Sequence, residues 1–318
     1  MRLTVEQKRK QYRTIYEAIW ETPRIFVKDL VILLDCTPNA ASNRLKESLE
    51  FKYIVGPEIR KKSYKNLKEY MYFINCKHPE YLYMKLREDP DIIYHAKTSG
   101  FCDLWIIAKE KIDVKGDIIL EGYRSDYQTS YASNSTWNKA LKIMEEKINS
   151  FNPKFYKPLK FPRRYSNEVI NWSIEDEFLY KYFKYHLRAH IKPIMKKHQI
   201  SAEKVYNFLN NLQNTCTIHT SYYPDGLSSY DPYLFMFETD YEDFIIDLFS
   251  ELPSSVSFFK VSNMLFLSTY IPRELARGVD LQLSNKLYIP LLMVDLLERS
   301  VIRNKDYVIV EYSKGKDI

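Results

Sequence analysis

Residues 35–51 read DCTPNAASNRLKESLEF. Asp35-Cys36 forms a tight turn, Thr37 is suited to cap a helix, and Pro38 suits its first position, where the missing N–H costs nothing. From Asn39 to Phe51 the apolar residues Ala41, Leu45 and Leu49 recur at i, i+4 and i+8 and share one face. Asn39, Ser42, Asn43 and Lys46 fall on the other. The preceding residues supply partners for the apolar face. Tyr12, Ile15, Tyr16, Ile19 and Trp20 mark a first helix over about Val5–Glu21, closed by Pro23, and Val27–Leu34 marks a short second one. After the third helix, Tyr53-Ile54-Val55 reads as a strand and Gly56-Pro57 as a turn. Glu58–Ser63, carrying Arg60, Lys61 and Lys62, follows the turn to complete a basic hairpin.

Helix, short helix, tight turn, helix and basic hairpin is the order of a winged helix-turn-helix. In such a module Asn39, Ser42, Asn43 and Lys46 would read base edges in the major groove, and Arg60, Lys61 and Lys62 would hold phosphate. The competing reading is a three-helix structural domain whose outer face is merely solvated.

Outward from this segment the periodicity changes. Tyr70–Asn75 is a strand, His78–Glu88 a helix stopped at Asp89-Pro90, and Ile92–Lys97 and Phe101–Ala108 are strands joined by a turn at Thr98-Ser99-Gly100. Asp117–Thr129 is extended, and Thr136–Ile148 is a helix with Trp137, Leu141, Met144 and Ile148 on one side. This is a split βαβ order lacking a clear last strand. Pro153, Pro158 and Pro162 among Lys and Arg mark a linker. Beyond it the order restarts with helices at Ile174–Tyr185, His190–Lys197 and Ala202–Gln213. Strand Tyr233–Glu238, helix Tyr241–Leu252, strands Val256–Val261 and Met264–Tyr270, helix Leu287–Arg299 and strand Tyr307–Tyr312 follow.

The expected fold class is therefore α+β, with two winged helix-turn-helix domains alternating with two ferredoxin-like βαββαβ domains. The expected boundaries are 1–66 for the first winged helix and 67–151 for a ferredoxin-like sensor or dimerisation domain. A linker takes 152–165, a diverged second winged helix 166–230, and a second ferredoxin-like domain 231–318. The competing reading is two distinct domains with a coincidentally similar order.

At 318 residues and 45% hydrophobic the chain can build more than one core. The net charge of +6 is unevenly placed. Met1–Tyr70 holds fifteen Lys and Arg against nine Asp and Glu, and Lys154–Lys204 twelve against five. A basic segment near the start of each half suits phosphate binding, though a solvated helix surface gives the same surplus. Seven Gly and no GxxxxGK[ST] or GxGxxG exclude the usual nucleotide loops. Cys36, Cys76, Cys102 and Cys216 lack CxxC spacing and read as free thiols of a reducing compartment. No apolar run reaches membrane-spanning length, and the expected location is cytoplasmic. His186 and His190 lie four apart, but Lys184, Arg188 and Lys192 around them disfavour a metal.

The arrangement resembles the Lrp/AsnC family of transcription regulators, in which a helix-turn-helix precedes a βαββαβ sensor domain. Members carry a threonine, a Gly and a nearby Asp between the second and third strands. Thr98-Ser99-Gly100-Phe101-Cys102-Asp103 fits with one residue inserted, while Val261-Ser262-Asn263-Met264-Leu265 in the second half has neither Gly nor Asp. The resemblance implies a sequence-specific DNA-binding regulator whose effector meets Thr98, Gly100 and Asp103. Its partners are double-stranded DNA and a small-molecule effector, and it pairs as a homodimer or an intramolecular pseudo-dimer. It calls for no cofactor, metal or membrane. The bland alternative is that Gly100 makes a turn that Asp103 caps. The same module is also used by the siroheme decarboxylases, which are Lrp-like and occur as paired or fused halves. On that alternative the groups gathered around a tetrapyrrole's carboxylates would come from His78, His95, His219, Arg124 and Arg273.

Overall fold

The hydroxyl of Thr37 accepts from the Ala40 N–H at 3.3 Å, with Pro38 in the first turn, so the capping chemistry written at 37–40 does form a helix start. In the computed structural model the chain is described over residues 4–156, 167–277 and 289–315, and most of the expected linker 152–165 lies outside them. In chain order the elements are α1 (Val5–Glu21), α2 (Val27–Leu34), α3 (Pro38–Glu50), β1 (Ile54–Lys61), β2 (Tyr70–Asn75), α4 (Pro79–Leu86), β3 (Ile92–Gly100), β4 (Leu104–Ala108), β5 (Asp117–Tyr123), β6 (Gln128–Thr129) and α5 (Trp137–Ser150). The second half continues with α6 (Ile174–Phe183), α7 (Ile191–His198), α8 (Ala202–Asn210), α9 (Leu212–Thr215), β7 (Cys216–Tyr222), β8 (Tyr230–Phe237), α10 (Glu242–Phe249), β9 (Ser257–Val261), β10 (Met264–Pro272), α11 (Arg273–Arg277), α12 (Ile289–Glu298) and β11 (Asp306–Gly315). The fold is mixed α+β with antiparallel sheets. The chain divides into two compact units, and each draws on both halves of the sequence.

Unit 1 takes Met1–Lys61, Asn171–Ser229 and Pro253–Ser255. Its helices keep a constant spacing between the halves. Ile15 and Leu179, Tyr16 and Tyr180, and Ile19 and Phe183 are all buried counterparts. Asp35 and Gln199, both left-handed, end α2 and α7, and Thr37 and Ser201 cap α3 and α8. The expected hairpin after α3 is absent. Gly56-Pro57 makes a bulge within β1, not a turn, and β1 pairs antiparallel with β7, placing Arg60 opposite Thr217 and Lys61 opposite Cys216. Gly56 has φ +97°, and a Cβ there would lie 2.5 Å from the His219 carbonyl oxygen. A lone strand with an open edge needs a partner, and the equivalent strand of the other half supplies it.

The loops after α1 and α6 interlock reciprocally. The Arg24 guanidinium donates to the carbonyls of Leu187 and Ala189, and Arg188 donates to those of Pro23 at 3.0 Å and Ile25 at 2.7 Å. Arg24 and Arg188 stand in the same register, each just before the next helix. Charged hydrogen bonds contribute about 1.5–3 kcal/mol. Arg188→Ala is therefore expected to destabilise unit 1 by about that amount, read as a lowered urea midpoint. Arg188→Lys should recover little, since an ammonium lacks the planar fork that spans two carbonyls.

Unit 2 takes Lys62–Ile170, Tyr230–Leu252 and Val256–Ile318. Its described strands form one sheet in the order β5-β2-β4-β3-β11-β8-β10-β9-β6. The order β5-β2-β4-β3 in the first half is repeated as β11-β8-β10-β9 in the second, and β11 joins them by pairing with both β3 and β8. Beyond β5 the chain bridges Arg124 to Val261 and enters β6 on the far edge beside β9, so the two edges come together and the sheet rolls up. Phe73, Trp105, Phe259 and Phe266 stack inside it, Phe73 lying 4.6 Å from Phe266 and Phe259 5.1 Å from Phe266. Met71, Ala96, Leu234, Val261 and Val308 complete that core.

The outer faces of the two halves are covered unequally. In the second half α5 joins α10 and α12, so that Leu141, Met144 and Ile148 pack with Phe235, Phe249, Leu292 and Leu296. In the first half Tyr72, Ile74, Leu104 and Ile106 are covered by α4 together with Ile112 and Val114, and residues 109–116 between β4 and β5 contain no helix. The helix that follows β5 in sequence has gone to the other half's face.

Candidate functional site: a cavity on the first half's sheet

Where a second helix would lie over β2 and β4, a cavity of about 450 Å³ opens in unit 2. This lies within the ~300–1,000 Å³ usual for small-molecule sites. Leu82 and Leu86 of α4, Ile106 of β4, and Ile112 and Val114 of the 109–116 segment supply its apolar wall. Lys85, Lys115, Glu88, Asp89 and Asp113 supply charge around it. The Tyr72 hydroxyl donates to the Ile112 carbonyl at 2.8 Å and accepts the Ile112 N–H at 2.7 Å, which holds the non-helical wall against the sheet. Burial raises the Tyr72 phenol above its ordinary pKa, against the opposing pull of the Ile112 N–H. Lys111 pairs with Glu121 of β5 at 2.7 Å and ties down the other side of the segment. His95 is fully buried directly opposite Ile106 in the β3–β4 register, its ring 4.4 Å from that of Tyr83.

Asn39, Ser42, Asn43 and Lys46 are exposed on one face of α3. Arg60 pairs with Glu58 at 2.7 Å and lies 5.1 Å from the Tyr185 ring. Lys61 pairs with Glu177 at 2.6 Å and lies over Tyr180 and Trp172. Burial opposes ionisation of Glu177, but the Lys61 ammonium and the Trp172 N–H outweigh it and hold its carboxyl below the usual range. That stabilisation is present above the ordinary carboxylate pKa and is lost as the pH falls through the depressed one. Lys62 begins unit 2 and is half-buried.

Thr98 donates to the Cys102 carbonyl at 2.7 Å, and the Asp103 carboxylate accepts the Cys76 N–H at 2.9 Å. A Cβ on Gly100 would meet the Tyr307 carbonyl oxygen at 2.1 Å, so this glycine admits β11 to the sheet. These three groups tie β2, β3, β4 and β11 together. Of the groups considered for a tetrapyrrole, Arg124 is buried against Glu69 at 2.7 Å and Arg273 pairs with Asp231 at 2.9 Å. His78 is exposed at the start of α4, and His219 lies on β7 in unit 1. His186 and His190 do not share a helix, because α6 ends at Phe183 and α7 begins at Ile191. Among the described residues no group of three His, Cys, Asp or Glu is placed to hold a metal ion, and no helix is long and apolar enough to cross a membrane. The cavity itself escaped the sequence reading. Its one signal was the absence of helical periodicity at 109–116, where a second βαβ crossover needs a helix.

No protein-family model and no curated protein matches the chain. Among solved structures, the chain is similar to the siroheme decarboxylase NirDL at 10% identity, over 95% of this chain and 91% of that one, with a TM-score of 0.49. It is also similar to NirDL in complex with an iron-uroporphyrin III analogue, at 9% identity over 90% and 85%, with a TM-score of 0.44. The expectation of a DNA-binding transcription regulator is corrected. The basic wing that was to hold phosphate is a strand paired with β7, and its Arg60 and Lys61 are engaged by Glu58 and Glu177.

Proposed function

We propose that the chain is a tetrapyrrole-handling protein, the reading that the sequence raised as a fused enzyme, and that its ligand sits in the cavity on the first half's sheet. On this reading each half is a winged helix followed by a ferredoxin-like unit, and the first ferredoxin-like unit has given up a helix to make room for a ligand. The observation that carries it is the cavity's make-up: an apolar wall of Leu82, Leu86, Ile106, Ile112 and Val114 beside the ammonium groups of Lys85 and Lys115. A flat apolar ring bearing carboxylates matches both features. The apolar wall gains from burial, and the lysines meet the acid groups. Glu88, Asp89 and Asp113 at the same rim oppose a ligand with more carboxylates than the lysines can reach, which sets a limit on its charge.

The test is a titration of the full chain with iron protoporphyrin, whose two carboxylates match the two lysines, followed by visible absorbance. The expected result is a saturable spectral shift at one ligand per chain. Leu82→Trp, which fills the cavity from half-buried α4, should weaken binding at least about tenfold, equal to ~1.4 kcal/mol. Lys85→Glu should weaken it more at low salt than at high salt. A ligand that binds Leu82→Trp as tightly as the native chain lies elsewhere and overturns the assignment.

A further inference from the structure

Unit 1 holds a second cavity, of about 220 Å³, between α8 and the chain entering α6. Trp172 and Phe208 form its apolar wall, their rings 6.1 Å apart and edge to face. The constant spacing between the halves of unit 1 gives this place a counterpart in the first half. There it is filled. Lys8 pairs with Glu47 at 2.7 Å, Arg44 reaches Glu47 and, at 2.9 Å, Gln11, and the Arg44 guanidinium lies 5.7 Å from the Tyr12 ring. In the second half Trp172 stands in the register of Lys8, Asp176 of Tyr12, Phe208 of Arg44 and Asn211 of Glu47. The long ionic side chains that cross this space are replaced by rings and short amides. In addition, α6 starts later than α1, leaving Asn171 and Trp172 outside the helix. The cavity is thus a feature in which the second half differs from the first.

Its charges cancel. Lys204 Nζ lies 2.7 Å from Asp176 Oδ1, and the other carboxylate oxygen accepts the Ser173 N–H at 2.9 Å. The remaining polar lining is amide apart from Thr215, whose hydroxyl is directed to the Asn211 and Leu212 carbonyls. Asn211 Oδ1 accepts from Asn214 at 2.6 Å, while the side chains of Asn171 and Asn207 make no hydrogen bond among the described residues. An amide offers a donor and an acceptor in one plane, and so complements a ring edge that presents an acceptor beside a donor. The volume is below the range of drug-sized sites, which suits a single ring system.

We propose that this cavity binds a neutral planar heterocycle with adjacent hydrogen-bond donor and acceptor, a free nucleobase or its nucleoside, read by Asn207 and Asn171 against the Trp172–Phe208 wall. The inference rests on unit 1 alone and stands or falls separately from the tetrapyrrole reading.

The full chain is titrated with adenine, guanine, cytosine and uracil and their nucleosides, by calorimetry and by tryptophan fluorescence, with glucose as the non-aromatic control. At least one base should bind at a single site and change the fluorescence, and Trp172→Phe should abolish the fluorescence change. Asn207→Ala should weaken binding at least about tenfold, and Asn207→Asp should change which base is preferred. Asn43→Ala, in the same register of the first half, should change nothing. Both asparagines are exposed on their helices and alanine favours helix, so folding is preserved. The proposal is overturned if no base binds at millimolar concentration, if Asn43→Ala weakens binding as much as Asn207→Ala, or if glucose binds as well as any base.

Discussion

Alanine at Glu69 is expected to destabilise unit 2 by about 3–5 kcal/mol, because it strips the counter-ion from a guanidinium that is 0% exposed. Arg124 Nε lies 2.7 Å from Glu69 Oε2, Arg124 also donates to the Ser125 carbonyl, and its guanidinium lies 4.5 Å from the Tyr127 ring. The pair sits at the point where the chain leaves β5 and bridges to Val261, that is, at the seam where the sheet's edges meet. Removing one charge leaves the other buried without its ionic partner, whereas replacing both removes the desolvation cost together with the attraction. Glu69→Leu combined with Arg124→Met is therefore expected to recover most of the loss. Urea unfolding of the two single variants and the double variant checks this. A Glu69→Ala midpoint equal to that of the native chain would show the pair to be dispensable.

Phe266→Ala should cost a similar ~3–5 kcal/mol, from lost burial and the cavity left behind. Phe266 is fully buried, and its ring stacks on Phe73 of the first half and Phe259 of the second, so its loss opens the core between strands contributed by both halves. Phe155→Ala, at a ring 84% exposed, should stay within about 0.5 kcal/mol and serves as the control for removing an aromatic side chain as such. The near-ultraviolet circular dichroism of the stacked rings should fall in Phe266→Ala and not in Phe155→Ala.

What could be read from the sequence was what is decided locally. The Thr37 and Ser201 caps, the stripe Tyr12-Ile15-Tyr16-Ile19 and the alternation at Tyr70–Asn75 act over a few residues, and the helices and strands they imply are present. Partner choice was not legible. Residues 56–63 carry the turn and charge of a hairpin, yet β1 finds β7 far along the chain, because nothing in a strand's own residues names the edge it will join. Likewise Leu141, Met144 and Ile148 announce an apolar helix face without saying which half's sheet it will cover. The cavity beside Ile106 follows from that choice and so was hidden with it. The cavity beside Trp172 had a faint trace in the sequence, since the second half carries amides and rings where the first half carries Lys8, Arg44 and Glu47.

The position of β11 also sets a timetable. It comes last in chain order among the described strands, yet it lies at the centre of the sheet, and its Glu311 meets Lys97 across a separation of 214 residues. While the chain is being synthesised, β3 must wait with an unpaired edge until β11 has emerged, and so must β8. Such long-range closure is slow, and a waiting edge can pair with other chains. Fragments lacking β11 should therefore associate through these edges, and the need for a holding chaperone should be greatest just before β11 is made.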